Sequence, residues 1–226
     1  MVGNRSVVIV DPGPDVEHHV RALVSSVQTA ESVAVVLTHG HSDHAASAPA
    51  ISRLTGANVY GPEGLGGVDV TMRDGDVIET DAGDLVAVHT PGHTPEHLSF
   101  WWTGRDALFV GDLFLGKGDT TWVAEYPGCV ADYLQSLRHV RGLSPSVMYP
   151  SHGPPLEDPI DAIDRFEAHR LQRIEQVRTA MRAHPAADTD ALLDVVYGPE
   201  LASGLRGAAS RSLAALVEFI HDGGTP

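Results

Sequence analysis

The run Thr38-His39-Gly40-His41-Ser42-Asp43-His44 puts three imidazoles and a carboxylate into six consecutive positions, directly after the apolar stretch 33–37. Neutral imidazole and carboxylate suit zinc and other borderline divalent ions. His39 and His41, two apart at a strand end, project the same way and can grip one ion; Asp43 and His44, one turn further on, are free for a second. Three later segments each join a metal-binding side chain to a tight-turn glycine or proline: Thr90-Pro91-Gly92-His93, Phe109-Val110-Gly111-Asp112 and Tyr149-Pro150-Ser151-His152. Each follows an apolar or β-rich run, so each places its ligand at a strand end. A merely solvated histidine-rich loop would not need that setting.

The elements that must hold these residues can be read from periodicity. Val16, Val20, Leu23, Val24 and Val27 recur at helical spacing and predict a helix over 15–27, with His18 and His19 outside its buried stripe. Strands are predicted at 7–10, 33–38 and 57–60, with a short helix at 45–54. The middle of the chain then reads as short strands at 77–79, 85–89, 97–102 and 106–110, separated by turns. His89 is expected to pack inside its strand. After the linker 154–159, an amphipathic pattern predicts a long helix over 160–184 and shorter ones at 190–197 and 208–221. Helix-flanked strands split by a β-rich middle suit an α/β fold of αββα sandwich type, with the metals at one edge between the sheets. The expected organisation is a catalytic domain over 1–157 and a helical region over 158–226.

Composition narrows the function classes. The 226 residues are 42% hydrophobic and 20% charged, without a run near the roughly 18 apolar residues of a membrane span. The first residues lack a signal-peptide pattern, so a cytoplasmic location is expected. Cys129 is the only cysteine; it excludes an internal disulfide and a thiolate zinc cluster, and is expected as a small buried hydrophobe. A net charge of −15, with 14 arginines and the single lysine Lys117, repels polyanions. A nucleic-acid partner would therefore need a local basic patch, such as one from Arg165, Arg170, Arg173, Arg178 and Arg182.

The ordered set HxHxDH, His, Asp, His, with an early aspartate in Val7-Val8-Ile9-Val10-Asp11-Pro12-Gly13, strongly resembles the metallo-β-lactamase superfamily over residues 7–155. The resemblance implies that His39, His41 and His93 hold one metal, and Asp43, His44 and His152 a second. It makes Asp112 the bridge between them and Asp11 the orienter of the metal loop. Two zinc ions are the implied cofactor, iron or manganese the alternatives. The segment Glu167-Ala168-His169-Arg170-Leu171-Gln172-Arg173-Ile174 resembles a subfamily with a small winged-helix-like C-terminal tail. Two departures stand out: almost nothing precedes Val7 where the family has a further strand, leaving a sheet edge expected to be exposed, and the chain stops where a wing would form its hairpin.

The implied chemistry is attack by a metal-bridging hydroxide, with Asp43 taking the released proton. Over the metals, the loop 114–128 offers Trp122 or Tyr126 to a ligand, and His169 and Arg170 are placed to reach the rim from the C-terminal helix. The first expectation is a dinuclear zinc hydrolase of a small carbonyl substrate such as a thioester, lactone or ester. The alternatives are a metal-dependent endoribonuclease or phosphodiesterase and a mononuclear-iron thiol or persulfide dioxygenase. A small-molecule substrate is the expected partner, and a homodimer is compatible with an open sheet edge.

Overall fold

The computed structural model describes residues 1–224. Strand β1 (Ser6–Val10) leads through helix α1 (Glu17–Ser26) to β2 (Ser32–Val36), which delivers the histidine loop. Helices α2 (Ser42–Ala45) and α3 (Ala48–Thr55) follow, then β3 (Asn58–Pro62) and β4 (Val70–Met72). These four strands form one sheet in the order β1-β2-β3-β4, each pair parallel. The second sheet takes β5 (Val77–Ile78), β6 (Leu85–His89), β7 (Leu98–Trp102) and β8 (Ala107–Gly111) as an antiparallel meander. Helix α4 (Cys129–Leu143) then crosses over to β9 (Val147–Pro150), parallel to β8, as a parallel pair requires. Three helices complete the described chain: α5 (Pro159–Ala183), α6 (Thr189–Tyr197) and α7 (Ser203–His221).

Strand side chains alternate between faces, so each sheet feeds two cores. Val7 and Ile9 of β1 pack with Val20 of α1 and Ile51 of α3 on the outer face of the first sheet. Val8, Val36 and Met72 point the other way, against Leu85, Ala87, Leu98 and Phe100 of the second sheet. Leu108 and Val110 of β8 face Tyr133 and Leu137 of α4, Phe166 and Ile174 of α5, and Leu213 and Leu216 of α7. The layers are helix, sheet, sheet, helix. The third core runs unbroken into α5, α6 and α7, so the C-terminal region shares apolar surface with the second sheet instead of resting on a linker.

Several expectations change. The edge of β1 is not bare: Val2, 1% exposed, pairs antiparallel with Val8, and Asp81 accepts the backbone N–H groups of Asn4, Arg5 and Ser6. His89 is exposed, bonding the Pro95 carbonyl at 3.1 Å: it shares a face with buried Leu85 and Ala87, but β6 ends at it, where no facing layer covers that face. The expected 45–54 helix is α3, which starts three residues later, with the single turn α2 as an additional helix before it, and α7 begins five residues before the expected 208. Residues 158–224 contain helices and no strand, so the described part of the tail shows no wing; 225–226 lie outside the described residues. Among the described residues no helix is long and apolar enough to cross a membrane.

Candidate metal centre

The candidate ligands converge because strands from both sheets end at one edge. Residues 39–44 leave β2, His93 follows β6, Asp112 follows β8 and His152 follows β9. His41 is extended (φ −65°, ψ 145°) and starts α2, whose single turn carries Asp43 and His44 back toward the same point.

His39, His41 and His93 form one close group, with His41 Nδ1 3.1 Å from His93 Nε2. Asp43, His44 and His152 form another, in which Asp43 Oδ2 lies 3.2 Å from His152 Nε2 and 3.7 Å from His44 Nε2. Asp112 stands between them. Its Oδ1 is 3.5 Å from both His44 Nε2 and His152 Nε2, and its Oδ2 is 3.7 Å from His93 Nε2. Two donors each about 2.1 Å from one zinc at a tetrahedral angle stand roughly 3.4 Å apart, so these separations fit ligands around shared ions. The partnering of the atoms fits as well. His39 Nε2, His44 Nε2 and Asp112 Oδ1 are buried without a hydrogen-bond partner, and polar atoms are rarely left so unless something else is meant to meet them. Imidazole and carboxylate donors with no thiolate suit zinc, iron or manganese rather than a soft ion.

Asp11, His39 and His44 make a third close group, but the Asp11 carboxylate is already engaged. It accepts the Thr38 N–H at 2.8 Å, the Thr38 hydroxyl at 2.7 Å, the Ser151 hydroxyl at 3.0 Å and a bond from His44 Nδ1 at 2.9 Å. Thr38 Oγ1 in turn lies 2.9 Å from His39 Nδ1. One carboxylate, in a left-handed turn (φ 43°), thus fixes the ring orientation of a histidine in each triad and leaves both Nε2 atoms facing inward. His93 is held by its Nδ1 bond to the Trp122 carbonyl at 2.8 Å. His97 is fully buried, bonds Thr90 Oγ1 through Nδ1 at 3.0 Å and accepts the Asp112 N–H at Nε2, 3.2 Å away, as a support rather than a ligand.

The substrate-facing candidates divide. Trp122 bonds Glu125 through its indole N–H and lies under the Arg211 guanidinium, 5.1 Å from its ring centre; Glu125 itself comes within 4.0 Å of His41 Nε2. Tyr126 commits its hydroxyl to Asp132 at 2.9 Å. Arg170 does not reach the rim: it is buried, bonded to the Thr121 carbonyl at 3.2 Å. His169 is half-buried, with an unpartnered Nδ1. Thr38, Ser151, Thr121 and Glu125 were not legible as site residues, since nothing in their local sequence marks a hydroxyl or carboxylate that acts across the fold. An open cavity of about 530 Å³, lined by Asp43, His44, His152, His19 and Tyr149 among others, adjoins the second triad.

Electrostatics act in opposite directions on the buried rings. Burial, and then the neighbouring imidazoles His97, His44 and His93, hold the His39 pKa far below its ordinary value; burial also lowers His93 and pushes His97 down to about 3. Burial works against a charge on His44, but the hydrogen bond to Asp11 and the nearby carboxylates of Asp11 and Asp112 outweigh it and push His44 up to about 10. Burial raises Asp112, yet His44, His93 and His152 bring it below the usual carboxylate range. In the metal-free protein the His44 charge therefore stabilises the fold fully below pH 6.5, and that contribution is lost as pH rises through about 10. A metal must displace that proton. Affinity is expected to rise about tenfold per pH unit over pH 6–8, checked by Co²⁺ titration against a competing chelator; a flat profile would contradict a protonated His44.

Comparison with known proteins places the chain. The family model described as the metallo-beta-lactamase superfamily matches residues 1–68 and 62–152. A Caenorhabditis elegans "Beta-lactamase-like protein 2 homolog" is 28% identical over 205 residues, covering 84% of this chain and 66% of that protein. An Aspergillus fumigatus "Atrochrysone carboxyl ACP thioesterase" is 33% identical over 182 residues, covering 73% of this chain and 55% of the other. The chain thus spans between about half and two thirds of the length of these relatives. Among solved structures, a beta-lactamase domain protein from Burkholderia ambifaria superposes with TM-score 0.83 at 21% identity, over 96% of this chain and 77% of that one. A metallo-beta-lactamase family protein from Thermus thermophilus gives 0.78 at 19%, over 99% and 87%. With the model spanning most of its length and the fold shared along nearly all of it, the chain belongs to the metallo-β-lactamase superfamily.

Proposed function

We propose that this protein is a dinuclear metal hydrolase, zinc being the resident ion, that cleaves a small carbonyl substrate of the thioester or ester class. The observation that carries the reading is Asp112, which turns Oδ1 to His44 and His152 and Oδ2 to His93, standing between two groups that each hold a buried Nε2, of His39 and of His44, without a hydrogen-bond partner. His39, His41, His93 and Asp112 would hold one ion and Asp43, His44, His152 and Asp112 the other. Bound divalent cations supply a water of lowered pKa and a Lewis acid for a carbonyl oxygen. The chain's own groups supply orientation and proton handling. Asp11 keeps the His39 and His44 rings in register, and Asp43, its side chain 53% exposed beside His152, is placed to take the proton of an attacking water and pass it to solvent. The open cavity beside the second triad admits a substrate from that side.

Charge supports a small substrate over RNA. Most of the arginines of α5 that could have made a basic stripe are paired or buried: Arg165 pairs with Asp161 and Asp119, Arg178 and Arg182 share Glu175, and Arg170 is inside, which leaves Arg173, over the Tyr197 ring, without a carboxylate partner among the described residues. The thioesterase named among the relatives supports the thioester within the carbonyl class. We further read residues 1–157 as the catalytic unit, 158–226 as a helical cover with winged-helix-like kinship, and the cytoplasm as the place of action. The test is release of free thiol from a short acyl thioester by zinc-loaded protein, with labelled single-stranded RNA and a persulfide in parallel. Thiol release abolished by a chelator and restored by zinc is expected; cleaved RNA or oxygen uptake with persulfide, and no thiol release, would overturn the reading.

A further inference from the structure

Arg170 is buried to 4% and makes none of the ion pairs of its neighbours Arg165 and Arg178. A guanidinium in such a place costs desolvation that a methionine would not. Its stem packs and its charge lies over the Tyr133 ring, 5.2 Å from the centroid, but neither contact needs the donor fork. What the fork does is donate from Nη2 to the Thr121 carbonyl at 3.2 Å, where the Thr120 hydroxyl is a second, longer donor at 3.3 Å.

Thr121 is a junction. Its hydroxyl donates to the Asp112 carbonyl at 2.7 Å, and the next carbonyl along, that of Trp122, receives the Nδ1 bond of His93 at 2.8 Å. Two consecutive residues, one by its hydroxyl and one by its carbonyl, therefore hold two candidate ligands that arrive from different strands, and Arg170 holds the backbone of the first of them from α5. The segment 115–122 has no helix or strand of its own, so its position depends on such bonds.

We propose that Arg170 is a positioning residue that ties α5 to the metal centre: by fixing the backbone at Thr121 and Trp122 it keeps Asp112 and the His93 ring in register with the histidines of the 39–44 loop. The C-terminal helices are on this account part of what sets metal affinity, not only a cover. The inference rests on the metal-binding reading of the site.

The test titrates the full-length metal-free protein with Co²⁺, following visible absorption, alongside thermal unfolding and circular dichroism on the same samples. Arg170→Met keeps the stem and loses the fork; it is expected to stay folded, bind Co²⁺ about 10- to 100-fold more weakly and show an altered absorption band. Arg170→Lys, with one donor retained, is expected to recover part of the loss. Thr121→Val preserves shape and removes only the hydroxyl bond to Asp112. Its weakening of Co²⁺ binding is expected to combine with Arg170→Met to less than the product of the two. A folded Arg170→Met protein with wild-type affinity and spectrum overturns the proposal. Should Arg170→Met fail to fold, wild-type binding by Thr121→Val overturns it instead. Failure of the wild type to bind Co²⁺ would remove the metal reading itself, a separate result.

Discussion

Asp112→Asn is expected to leave a folded protein with kcat/KM lowered about 10³-fold or more, roughly 4 kcal/mol of transition-state stabilisation. The amide keeps the volume of the carboxylate and leaves the backbone bonds to His97 and Thr121 untouched. It removes the anionic oxygen from one of the two groups it now faces, Oδ1 toward His44 and His152 or Oδ2 toward His93. Asp112 Oδ1 has no hydrogen-bond partner, and His44 keeps its bond to Asp11, so the substitution leaves the fold with its pairings and loses only the attraction of one carboxylate for the His44 charge. The checks are metal content, unfolding of the metal-free protein and thioester hydrolysis. One equivalent of metal in place of two, with near-native unfolding, is the expected pattern; an Asp112→Asn enzyme with two metals and wild-type turnover would dismiss the bridge.

Gly111→Ala is expected to damage the same carboxylate from behind. Gly111 has φ 50°, a left-handed conformation that costs an L-residue, and a Cβ there would sit 2.5 Å from His97 Nε2 and 2.8 Å from Thr38 Oγ1. Neither neighbour has room to give. His97 is fixed between Thr90 and the Asp112 N–H, and Thr38 between Asp11 and His39. Backbone strain and overpacking together are expected to destabilise the protein on the order of 3 kcal/mol. Metal affinity should fall by at least about tenfold, because the displaced atoms orient His39 and Asp112 at once. Denaturant unfolding of the metal-free protein and Co²⁺ titration separate the two effects. A variant that unfolds at the wild-type midpoint would show that the crowding around Gly111 is relieved cheaply.

The site was more legible than its surroundings. Each candidate ligand is a reactive side chain beside a glycine, proline or short turn after an apolar run, and strand ends at one sheet edge are where such residues gather. His89 misled for a related reason: its alternation with apolar neighbours is real, but β6 ends there, and the end of a strand has no facing layer to bury it. Arg170 misled in the opposite direction. On a helix rich in paired surface arginines nothing local distinguishes the one that turns inward, because its partners, Tyr133 and Thr121, lie 37 and 49 residues away along the chain.

The residue types and spacings by themselves determined the ligand set as a candidate, the apolar faces of most strands and helices, and the family resemblance. These depend on chemistry and periodicity within short windows. Only the tertiary structure decided that Asp112 turns its two oxygens to different triads. It alone decided that Asp11 bonds Thr38, His44 and Ser151 together, and that Val2 closes the edge of β1. It also decided that the helices after residue 158 share a core with the second sheet and reach the 115–122 segment through one buried guanidinium. Each of these is a contact between segments distant in sequence, set by how layers pack and where strands end, and no local pattern carries that information.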